Sequence, residues 1–142
     1  MTVANKFARL TLGVALMLGA GAVQAQDAGM TIELNALDPT DDGACQMSFL
    51  IENGHPQDIT QAVYQAVLFD ASGRVDRLTL FDFGNLPSGR PRVRQFVVPG
   101  LECEALSRVL FNGSETCEGA DADACEAGLT LRSRVETTEV TG

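Results

Sequence analysis

Residues 44–52 read Ala44-Cys45-Gln46-Met47-Ser48-Phe49-Leu50-Ile51-Glu52. Cys45, Met47, Phe49 and Ile51 take alternate positions, with Gln46, Ser48 and Glu52 on the other side. A period of two marks a strand with one buried face, because successive side chains leave opposite sides of the pleat. The pattern recurs outward from this segment. Thr31 to Leu37 sets Ile32, Leu34 and Ala36 on one face. Ala62 to Phe69 is almost wholly apolar, as expected of a central strand covered on both faces. Arg74 to Phe83, Arg92 to Val98, Leu106 to Phe111 and Leu129 to Val135 bring the set to seven. In the last, Leu129, Leu131 and Val135 oppose Arg132 and Arg134.

Turn formers separate these segments: Asp38 to Gly43, Asn53-Gly54-His55-Pro56, Asp70-Ala71-Ser72-Gly73, Gly84 to Gly89, and Asn112-Gly113. A helical turn competes only within Glu102 to Val109. Short alternating strands at this spacing predict an all-β, immunoglobulin-like antiparallel sandwich. Its core has no tryptophan to build on, since the chain has none. The polar tail, Glu136 to Gly142, is expected to fray.

The N-terminus reads differently. Lys6 and Arg9 precede an apolar run from Leu10 to Val23, and Val23-Gln24-Ala25 supplies a small-x-small cleavage pattern. This is the layout of a secretory signal peptide, removed after Ala25. It predicts one domain over 26–142, exported to the periplasm and without stable membrane insertion after cleavage. The apolar run is shorter than the roughly 20 residues of a membrane span. No twin arginine precedes it, and no cysteine follows at the cleavage site.

Loss of Lys6 and Arg9 leaves eight arginines, no lysine and nineteen acidic residues, a net charge of −11. That charge argues against nucleic acid and anionic membrane surfaces as partners. Four cysteines in an exported domain imply disulfides. Three pairings are possible. If strand direction alternates, Cys45 and Cys103 open strands that run the same way and share one end of the sandwich. Cys117 and Cys125 then share the other end. The sixth strand would separate the two ends by roughly 20 Å at about 3.3 Å per residue, while bridged Cα atoms lie within about 7 Å. The expected bonds are Cys45–Cys103 and Cys117–Cys125.

Few residues offer chemistry. His55 is the only histidine, flanked by Gly54 and Pro56, and reads as a turn residue. No nucleophile elbow is present, so no catalytic residue and no enzyme activity is expected. Met30, Met47 and His55 are too few soft ligands for a copper carrier. Glu118, Asp121, Asp123 and Glu126 could offer oxygen ligands to Ca²⁺ but lack EF-hand spacing, and read as a solvated loop. No cofactor or metal is expected. Arg74, Arg77, Arg90, Arg92 and Arg94 crowd into 21 residues, whereas Glu102 to Glu126 holds seven acids and one arginine. A basic hairpin of this kind protects a sheet edge against pairing with other chains. It is also a candidate docking face for an acidic protein partner or an anionic ligand.

Phe49-Leu50-Ile51-Glu52-Asn53, Val67-Leu68-Phe69-Asp70-Ala71-Ser72-Gly73-Arg74-Val75 and Leu86-Pro87-Ser88-Gly89 together resemble small exported FxLYD-type β domains. The whole exported part is also similar to an uncharacterised exported alphaproteobacterial family, often labelled as Tat-signal-domain proteins. The resemblance implies a sandwich in an extracytoplasmic setting and carries over no catalytic residue or cofactor. The expected function is a non-enzymatic accessory domain that binds an envelope protein; the alternative is a periplasmic carrier of a small ligand or metal.

Overall fold

In the computed structural model, which describes residues 28–142, the alternating segment forms β2 (Cys45–Asn53) with Cys45, Met47, Phe49 and Ile51 wholly buried. The export tag read over 1–25 lies outside the described residues. Around β2 stand β1 (Met30–Pro39), β3 (Ile59–Asp70), β4 (Val75–Leu86), β5 (Arg92–Val98), β6 (Leu106–Glu118), β7 (Thr130–Ser133) and β8 (Glu139–Thr141). A single 3₁₀ turn, Cys103–Ala105, leads into β6, where the sequence leaves room for a helical turn. The strands form two four-stranded sheets, ordered β5-β2-β1-β7 and β4-β3-β6-β8. The order β5-β2-β1 over β4-β3-β6 is that of an immunoglobulin-like sandwich.

Strand direction alternates throughout. β1–β2, β2–β5, β3–β4 and β3–β6 pair antiparallel, whereas β7 joins β1 and β8 joins β6 in parallel, so the sandwich is not antiparallel throughout, as the sequence predicts it to be. The cysteines accordingly meet as expected, in Cys45–Cys103 and Cys117–Cys125, with Cα separations of 5.0 and 6.0 Å. No free cysteine remains among the described residues. Two such bonds suit an oxidising, non-cytoplasmic compartment.

The core is an aromatic cluster. Phe49 of β2 packs against Phe81, Phe83, Phe96 and Phe111, with ring centroids 5.2–6.1 Å apart. Tyr64 of β3 stands edge-on to Phe83 and Phe111. Met30, Ile32, Leu34, Met47, Ile51, Ile59 and Leu68 pack around them, all fully buried.

Four other details differ from the sequence reading. The strands number eight rather than seven. The tail is not frayed: Thr138 is 1% exposed, its hydroxyl donates to the Leu106 carbonyl at 2.9 Å, and β8 then pairs with β6. Asn112-Gly113 does not end β6. Gln65 pairs with Gly113 and Ala66 with Phe111, so Asn112 is the extra residue of a bulge, which Gly113 accommodates at φ 137°. In β1 a bulge between Leu34 and Ala36 shifts the pleat, leaving Ala36 off the predicted face and packing Leu37 against the core.

Asn53 joins the two sheets at the end of β2. It is fully buried, and its amide donates to the carbonyls of Gln57 (2.8 Å) and Leu86 (2.9 Å). Its side-chain oxygen accepts the His55 N–H, and its own carbonyl accepts the Gly89 N–H at 2.7 Å. The Asn that ends β2 and the Leu-Pro-Ser-Gly segment that begins with the last residue of β4 are therefore two halves of one hydrogen-bonded corner.

Asn53→Ala should destabilise the fold by at least about 2 kcal/mol, because it strands buried backbone groups; urea unfolding checks this. Opening Cys45–Cys103 by double alanine substitution should cost about 4 kcal/mol and opening Cys117–Cys125 about 2.5 kcal/mol, as the closed loops differ in length. The order of the two midpoints in non-reducing urea tests the assignment.

Candidate functional site

The five arginines do not form a hairpin: β4 pairs with β3 and β5 with β2 in the other sheet, and the two strands form neighbouring edges, with Arg74 and Arg77 toward one end of that flank and Arg90, Arg92 and Arg94 toward the other. Arg74 precedes β4, Arg90 lies in the turn before β5, and Arg77, Arg92 and Arg94 lie within the strands. They are not equivalent. Arg94 reaches from β5 to the β4 backbone, donating to the carbonyls of Phe83 (Nε, 2.8 Å) and Asn85 (Nη2, 3.2 Å). Arg77 reaches the other way, to the carbonyls of Pro99 (2.7 Å) and Gly100 (3.4 Å), and pairs with Asp76. These two guanidiniums stitch the sheets across an otherwise open side. Arg74 and Arg90 are exposed, Arg92 is half-buried, and none of the three makes an ion pair among the described residues.

The sequence reading missed what lies between them. Val75, Leu78 and Leu80 of β4 are 54–60% exposed, and Val93 and Val97 of β5 are 52–59% exposed. Every large exposed apolar side chain among the described residues is on these two strands. Leu78 and Leu80 stand on the outer face of one sheet and Val93 and Val97 on that of the other, and exposed apolar groups concentrated on two adjacent edge strands mark a candidate contact site. Elsewhere on the outer faces such groups are covered: the Arg108 guanidinium lies 5.0 Å from the ring centroid of Phe69. The available signal was Leu78-Thr79-Leu80-Phe81, apolar on three of four positions. It shows a strand apolar on both faces but not whether a neighbour covers it.

Two hollows flank β4. One, of about 350 Å³, runs in the seam between the sheets, lined by Arg77, Thr79, Phe81, Gln95 and Phe96 among others. The other, of about 490 Å³, lies on the outer face against Gln65, Leu78, Leu80 and Glu115.

The opposite flank is sealed. A hollow of about 320 Å³ there is bounded by Tyr64, Phe111, Glu126, Leu129 and Leu131. Its polar groups are engaged: the Tyr64 hydroxyl donates to the Cys125 carbonyl, and Glu126 accepts the Ser114 N–H (2.7 Å) and hydroxyl (2.8 Å). Burial, and then the Glu126 charge, push the Tyr64 phenol well up. His55 is a fastener here, its Nε2–H donating to the Ala124 carbonyl at 2.7 Å. The acidic loop is thus held by His55, Tyr64, Ser114 and its own disulfide. The side chains of Glu118, Asp121 and Asp123 are exposed, and no three metal-ligating side chains converge among the described residues.

Comparison with protein-family models, curated proteins and solved structures finds no match for this chain.

The Ser114 hydrogen bonds, backbone first, hold the Glu126 carboxyl below the usual glutamate range. A depressed folded pKa contributes stability that is present above the unfolded pKa and lost as pH falls through the folded one. Glu126→Gln should therefore lower stability near neutral pH, with the difference from the parent shrinking as pH falls below the ordinary glutamate range of about 4.3. Melting temperatures of the two proteins between pH 3 and pH 7 check this.

Proposed function

We propose that this protein is a non-enzymatic accessory domain of the bacterial periplasm, exported on residues 1–25, that docks another envelope protein through the β4–β5 flank. One observation carries the reading. The five large exposed apolar side chains and five of the eight arginines after residue 25 share a single flank. Apolar contact supplies the affinity there, and charge supplies selection and steering. The rest of the chain after residue 25 is strongly acidic, so two edge strands that carry arginines and exposed apolar groups differ from what surrounds them. The two disulfides fit an oxidising setting.

Arg74, Arg90 and Arg92 are the arginines to test, because Arg77 and Arg94 also hold the sheets together. Arg74→Ser, Arg90→Ser and Arg92→Ser combined should leave the melting temperature unchanged and deplete the partner recovered with the tagged protein from its own periplasm. An unchanged set of recovered proteins would remove the docking role.

A further inference from the structure

Resting on that docking role, the geometry points to its mode: we propose that β4 accepts an extended, acidic-apolar segment of another polypeptide as an added strand. Of the other three sheet edges, β7 spans four residues and β8 three, these two closing on one another, and β5 spans seven. β4 has twelve residues and pairs along one side only, with β3. A long unpaired edge presents a row of backbone donors and acceptors, which natural proteins ordinarily blunt.

Here the blunting is partial and leaves a defined window. β3–β4 register breaks between Leu68 and Phe69 at one end and between Ala62 and Val63 at the other. Arg94 occupies the carbonyls of Phe83 and Asn85 beyond the second break. Between the breaks, Arg77 to Asp82 pair in unbroken register with Val63 to Leu68. That regular stretch of six residues suits one short strand. Leu78 and Leu80 stand on its outer face, and Thr79 and Phe81 line the seam between the sheets. Alternate side chains of an added strand would meet these two surfaces, while main-chain bonds supply the affinity.

Charge selects the occupant. The flank holds Arg74, Arg77, Arg90, Arg92 and Arg94 against Asp76 and Asp82, with Asp70 beside Arg74 and Glu115 beside Leu78 and Leu80. A second copy would bring a further set of the same arginines to the edge, whereas an acidic segment meets them with opposite charge. A segment alternating Asp or Glu with Val, Ile or Leu answers both the arginines and the leucines.

A twelve-residue peptide alternating glutamate and valine is a direct probe, offered to the purified protein at low salt. It should bind and slow hydrogen exchange at least about 10-fold at those amides of residues 77–82 that face away from β3. The same peptide N-methylated at alternate nitrogens keeps its charge and side chains but loses one row of donors, and should not bind. Leu78→Ser with Leu80→Ser, both at exposed positions, should weaken binding at least about 10-fold. Failure of the parent peptide to bind overturns the proposal. Equal binding of the N-methylated peptide, with exchange at 77–82 unmoved, overturns strand addition but leaves arginine-dependent docking standing. Undiminished binding to the Arg74→Ser, Arg90→Ser, Arg92→Ser protein instead sinks the docking role itself. Concentration-dependent slowing at 77–82 without peptide would assign the edge to a second copy and overturn the acidic partner.

Discussion

Phe49 is the contact on which the two sheets depend. Its ring meets rings from β4, β5 and β6, and Tyr64 brings in β3 through Phe83 and Phe111. One edge-to-face pair contributes about 0.5–1.5 kcal/mol beyond its burial, so the cluster matters as a set. It also orients. Rings that meet edge to face fix the separation and rotation of the sheets more tightly than aliphatic side chains would. That in turn sets where the sheet edges fall on each flank.

The flanks are finished by opposite means. On one, β7 and β8 extend the sheets toward each other, and the Cys117–Cys125 loop is fastened by Tyr64 and His55. Hydrogen bonding there is saturated, with no unpartnered buried side-chain polar atom among the described residues. On the other, Arg77 and Arg94 cross a gap that no strand fills. A guanidinium suits this work because it carries several donors on a long stem and can stay hydrated beyond them. The stitch holds the sheets without closing the seam.

Much of the architecture was legible in the sequence because it rests on periodicity. The alternation of Cys45, Met47, Phe49 and Ile51 fixes the buried face of β2, and alternating direction then pairs the cysteines. The departures arise where one residue changes the register. An Asn-Gly pair is the signature of a tight turn, yet Gly113 absorbs a bulge within β6, because β3 continues alongside and rewards further pairing. Thr138 looks like any polar tail residue until the Leu106 carbonyl is near it. The β4–β5 flank was half legible. The arginines are local in sequence and could be seen, whereas the exposure of Leu78 and Leu80 depends on which strand lacks a neighbour.

The pairing of β1 with β7 has a consequence in time. Ile32 lies beside Leu131 and Leu34 beside Ser133, so the first strand of the domain is completed by residues about one hundred positions later. A chain that emerges N-terminus first, from a ribosome or through a membrane pore, cannot finish its first sheet until nearly all of it has appeared. Until then Met30, Ile32 and Leu34 lie on an unpaired edge. Contacts of such long sequence separation slow folding, and here they tie completion of the sandwich to delivery of its last strands. The same arrangement that seals the flank thus keeps the partly emerged chain open.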